Sequence, residues 1–145
     1  MRATISALLL ALAVWVPSAR ADLVSDGIAR MPVEIITMRL GGSWQSAGGS
    51  GYYRFVLARS PAQASAARLF VQWIQRGGAS EAVVSSVEVA EIARKPTRVT
   101  DLRLEAAAEG TNAFVDTVDL ATGSPDEVML MLGGPGSYRL APLSN

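Results

Sequence analysis

The chain has 145 residues with 13 basic and 13 acidic side chains, and it contains neither cysteine nor histidine. That rules out a His-based general acid or base, a Ser-His-Asp or Cys-His nucleophile, a His/Cys zinc or copper site, and any disulfide to brace the fold in an oxidising compartment. The balanced charge also gives no overall basic excess of the sort that drives nucleic-acid binding.

The first 21 residues, MRATISALLLALAVWVPSARA, put Arg2 ahead of an apolar run that is densest from Ala7 to Val16. Pro17 breaks the run, and Ala19-Arg20-Ala21 supplies the small-x-small pattern that fits the narrow cleft of signal peptidase. The apolar stretch falls short of the ~20 residues that cross a bilayer core. The expectation is a signal peptide cleaved between Ala21 and Asp22, and a mature protein that is periplasmic or secreted, with no membrane span left after cleavage. No cysteine follows the run, which excludes a lipoprotein acylated on an N-terminal cysteine. A lone Lys95 beside twelve arginines fits a GC-rich bacterial genome. Removing Arg2 and Arg20 with the leader leaves 124 residues, 11 basic and 13 acidic, enough for one domain with a sizeable core.

Residues 22–32 read as an N-terminal arm, a short helical turn or an extended lead-in, and 33–145 as a single all-β domain. Residues 33–40, VEIITMRL, predict the first strand. A glycine-rich stretch, GGSWQSAGGSG at 41–51, reads as a long connection to YYRFVLAR at 52–59, which Ser60-Pro61 closes. ARLFVQWIQR at 67–76 alternates, with Leu69, Val71 and Trp73 on one face and Arg68, Phe70, Gln72, Ile74 and Arg76 on the other. In AVVSSVEVAEIAR at 82–94, Val83, Val87 and Val89 fall in phase, and Lys95-Pro96 then interrupts the ladder.

TRVTDLRLE at 97–105 has Arg98, Leu102 and Leu104 in phase, and AAAEGTN at 106–112 reads as a connection. AFVDTVDL at 113–120 alternates Phe114, Asp116, Val118 and Leu120 against Ala113, Val115, Thr117 and Asp119. VMLML at 128–132 and SYRLA at 137–141 complete about eight strands, separated by the turns TGSPDE and GGPG. Many short strands with glycine-rich turns define a single antiparallel β-sandwich, with a small closed barrel as the alternative.

The glycine run is tested against the phosphate cradles. It lacks the Lys of a P-loop, and GSGYYR enters a strand where a dinucleotide fingerprint would open a helix. Gly-x-Ser-x-Gly occurs nowhere in the chain. Gly42-Ser43-Trp44 resembles the Gly-x-Trp of the calycins, the barrel family that includes lipocalins and avidins. The resemblance implies a closed barrel carrying a lipid or other small hydrophobic molecule. In that family the tryptophan opens the first strand, whereas here a strand precedes it, so no binding residue carries over.

The aromatic candidates for a ligand or partner contact are Trp44, Tyr52 and Tyr53. A flat ring can stack on the C–H face of a sugar. Tyr52 and Tyr53 point to opposite faces of one strand, so one of them is a core residue, and Trp44 is either a lid over the sandwich end or an exposed contact. Asp116, Asp119, Asp126 and Glu127 cluster in sequence but match no EF-hand and read as turn chemistry. Arg54, Arg68, Arg76, Arg98 and Arg103 sit within strands and guard solvent-facing sheet surfaces. No catalytic residue, metal ligand or cofactor is assigned. The function expected is a non-enzymatic binding or accessory module of the bacterial envelope, with an envelope protein or glycan as partner.

Overall fold

The computed structural model describes residues 23–77, 80–108 and 110–141. The proposed signal peptide lies outside the described residues. Helix α1 (Leu23–Ala29) belongs to an N-terminal unit that ends at Met31, and Pro32 opens the second unit. Among the described residues no helix is long and apolar enough to cross a membrane.

The second unit is all-β. Strands β1 (Ile35–Ser46), β2 (Gly49–Arg59), β3 (Ala67–Arg76) and β4 (Ala82–Glu88) form one antiparallel sheet in sequence order. Strands β5 (Thr97–Ala107), β6 (Gly110–Asp119), β7 (Pro125–Leu132) and β8 (Tyr138–Ala141) form the other, also in sequence order. The short helix α2 (Ala90–Ala93) makes the crossing between them. The alternation predicts eight strands in this order, but the run 82–94 ends as a strand at Glu88 and turns into α2, and β5 and β6 extend through the expected connection at 106–112. Two open sheets face each other, so the closed calycin-like barrel is not the architecture.

The core joins large side chains from one sheet to smaller ones from the other. Trp44, Tyr53, Phe55, Leu69, Val71 and Trp73 come from the first sheet, and Ala113, Val115, Leu130 and Leu132 from the second. Facing bulky against small residues lets two pleated layers interdigitate without voids. In β6 it is therefore Ala113 and Val115 that turn inward, with Thr111 and Thr117 at the ends of the same face. Phe114 turns outward, with the Arg103 guanidinium 5.4 Å from its ring centre, close enough for a cation–π contact.

Bulges correct the expected phase in two strands. The register of β5 slips between Val99 and Asp101, so Val99, Leu102 and Leu104 pack on the core while Arg98 does not share their face. In β4 the register slips opposite Trp73 and Ile74, which leaves Val83 exposed while Val89 is fully buried. Each bulge inserts one residue, and with a side-chain period of two that exchanges inside for outside.

One acceptor ties the layers together. The Gly133 carbonyl, just beyond β7, receives hydrogen bonds from Tyr53 Oη and Trp73 Nε1, both at 2.9 Å. Tyr138 of β8, paired with Leu132, donates to Glu91 Oε2 at 2.9 Å and accepts from Ala90 N at 3.3 Å, which fastens α2 to the second sheet. Among the described residues no buried side-chain nitrogen or oxygen lacks a partner.

Burial pushes the Tyr53 phenol up from its ordinary 10.0 to about 12. The folded state thus favours the neutral phenol. Its contribution is fully present below the unfolded pKa and is lost as pH rises from about 10 through about 12. Alkaline denaturation followed by circular dichroism should show that loss, and Tyr53→Phe should flatten the slope while costing about 1 kcal/mol at neutral pH.

Candidate functional site

The glycine-rich stretch is a tight hairpin and not a long connection. β1 runs on to Ser46, Ala47 and Gly48 make the turn, and β2 begins at Gly49, with Ser46 paired to Gly49. Between the pairs Gly41↔Tyr53 and Trp44↔Gly51, β1 carries one residue more than β2. Gly42 supplies the positive φ of 65° that a bulge of this kind takes from glycine.

That extra residue decides where Trp44 points. Gly41 and Tyr53 sit on the inner face, and three residues on an unbulged strand would point outward. The bulge returns Trp44 to the inner face, where it is only 4% exposed. Gly51 opposite leaves the room the indole needs, since a Cβ there would land on the Ile74 carbonyl oxygen and stand 3.0 Å from Trp44 Nε1. The indole N–H donates to the Tyr52 carbonyl at 3.2 Å. Thr111 of β6 locks the bulge from the other sheet: its Oγ1 accepts from Ser43 N at 3.1 Å and donates to Ser43 O at 3.4 Å.

Of the three aromatic candidates, Trp44 and Tyr53 are thus core side chains. Tyr52 lies half-buried on the outer face, where its hydroxyl donates to Glu81 Oε2 at 2.6 Å and the Arg76 guanidinium sits 4.8 Å from its ring centre. The Glu81 carboxylate, by accepting that bond, raises the Tyr52 phenol above its usual range.

Around the bulge opens a groove of about 740 Å³. One wall is the β1–β2 hairpin, with Ser43, the edge of Trp44, Gln45, Ser46, Ser50 and Gly51. Arg76 at the end of β3 stands at one side, and Ala107, Ala108 and Gly110 of the β5–β6 hairpin form the other. Hydroxyls, an amide and one guanidinium therefore surround a floor of small residues. Among the described residues no carboxylate lines the groove, and none lies within ion-pairing distance of Arg76.

Three of the other strand arginines are engaged locally. Arg68 grips Glu88 with two bonds of 2.7 and 2.8 Å, which holds the Glu88 carboxyl below its usual range. Arg54 donates to Gln72 Oε1 at 2.7 Å, and Arg103 spans Asp116 and Glu127. Hydrogen bonding to Asp116 raises the Glu127 carboxyl, against the pull of Arg103. Asp119 caps the following turn through Thr122 N and Ala121 N at 2.9 and 2.8 Å, and those amides lower its pKa. Among the described residues no three carboxylates gather as a metal site would require.

The fold and groove define a cysteine-free antiparallel β-sandwich with a polar cleft at one end. No family model, no curated protein and no solved structure matches this chain.

The bulge yields a direct prediction. A Cβ at Gly42 would sit 2.5 Å from Thr111 Oγ1, on a backbone that already disfavours side chains. Gly42→Ala should cost about 1–3 kcal/mol from backbone strain alone. Chemical denaturation would measure the loss, and red-shifted tryptophan emission would report Trp44 leaving the core. Thr111→Val should cost about 1–3 kcal/mol, because it strands the Ser43 N–H.

Proposed function

We propose that this chain is an exported, non-enzymatic binding or accessory module of the bacterial envelope, and that it holds an envelope glycan in the groove beside Trp44. The observation that carries this reading is the chemistry of that groove. Ser43, Gln45, Ser46 and Ser50 provide short hydroxyl and amide groups that both donate and accept, as sugar hydroxyls do. Arg76 adds a fixed cation stacked on Tyr52, suited to a carboxylate or phosphate substituent on a glycan.

A non-catalytic role is supported by what the chain contains. It has no histidine or cysteine, and the carboxylates Asp116 and Glu127 are direct cross-strand neighbours bridged by Arg103 on a sheet surface. That pair lies on the outer face of the second sheet, away from the groove lining. Export is supported by the leader-like sequence of residues 1–21.

Titrating the mature protein with oligosaccharides from peptidoglycan and from lipopolysaccharide should move amide resonances at 43–46 and 50–51. Arg76→Ala should weaken binding by about tenfold, or about 1.4 kcal/mol, without changing the melting temperature. Turnover of any of these glycans, or shifts confined to other surfaces, would sink the reading.

A further inference from the structure

The four sheet edges are not equally protected. β5 is lined with Arg98, Asp101, Arg103 and Glu105, and β8 is only four residues long. β4 is seven residues long with a bulge in its middle. β1 is twelve residues long, contains neither proline nor lysine, and is paired on one side only, to β2; its own two register shifts, at Ile36 and at Gly42-Ser43, leave a regular segment from Thr37 to Gly41 between them. Its outer face exposes Ile36, Met38 and Leu40 at 52%, 44% and 60%. Its one charged side chain, Arg39, turns the other way, where it donates to the Leu102 carbonyl of β5 and lies 4.0 Å from Asp101. An edge of this length with an apolar row is the kind that natural sheets normally blunt.

We propose that β1 pairs antiparallel with β1 of a second copy, about a two-fold axis at Met38, making one eight-stranded sheet. The register selects both the occupant and the axis. About Met38, the two Met38 side chains face each other and each Leu40 falls at the partner's bulge residue Ile36, so the exposed apolar row meets its own copy. Arg39 then faces Thr37, which avoids a like-charge pair, whereas an axis at Arg39 would oppose two guanidiniums. Within the sheet Met38 pairs with Val56, and Val56 with Phe70. The Met38 axis carries this row straight across the junction, from Phe70 of one copy to Phe70 of the other. A foreign strand would have to supply that pattern, and a second copy already has it.

This inference is independent of the glycan groove. Sedimentation equilibrium of the mature chain from micromolar to near-millimolar concentration should show a reversible monomer–dimer equilibrium. Met38→Arg should shift it at least tenfold toward monomer, while Arg76→Ala leaves it unchanged. Because the chain has no cysteine, Met38→Cys introduces a single thiol. Directly opposed residues in an antiparallel pair have Cα atoms about 4.5–5.5 Å apart, within disulfide range. Mild oxidation should therefore convert Met38→Cys to a covalent dimer, and leave Val83→Cys, on the opposite edge of the same sheet, monomeric. Circular dichroism of each variant guards against misfolding. A strictly monomeric wild type, a dimer indifferent to Met38→Arg, or equal cross-linking at position 83 would overturn the proposal.

Discussion

The Gly133 carbonyl gathers two of the side-chain hydrogen bonds that tie the two layers of this sandwich together. Tyr53 and Trp73 come from adjacent strands of one sheet, and both spend their only side-chain donor on this backbone oxygen at the edge of the other. Their rings meet edge to face with centroids 5.8 Å apart. In a chain without cysteine this contact does the work a cross-layer disulfide would do elsewhere, but through burial and hydrogen bonding. The position of the second sheet follows from it, and with that sheet come Thr111 and the β5–β6 hairpin that complete the groove.

The strands and most of their inward faces could be read directly. Leu69, Val71 and Trp73 follow strict alternation and all three are buried. The reading failed wherever a strand takes in an extra residue. Thr100 and Val84 carry no sign of the bulges they sit in, because a bulge is a property of pairing and is decided by the partner strand. Gly42 did carry a sign, a glycine, but in a stretch with five of them it could not be told from loop chemistry. Trp44 was therefore legible as unusual and illegible as buried.

The groove was half visible. Ser43, Gln45, Ser46 and Ser50 all lie in the stretch that stood out, yet nothing in it points to Ala107, Ala108 and Gly110, which reach the site through the packing of two hairpin tips. The arginines illustrate the opposite error of scale. In the sequence they form one set of strand-borne charges, but Arg54, Arg68 and Arg103 each find partners on neighbouring strands, and Arg76 stands at the groove. Whether a charge is committed or available depends on the strand beside it.

The order of strands has a kinetic consequence. Each sheet is an uninterrupted meander, so every backbone ladder closes between segments adjacent in sequence, and the chain crosses from one layer to the other only once, at 89–96. Ladder formation is then local and quick, and the docking of two preformed halves is the one step that must bring distant segments together. The crossing segment therefore behaves as a tether that sets the effective concentration of each half for the other, and separated halves would remain a matched pair able to reassemble.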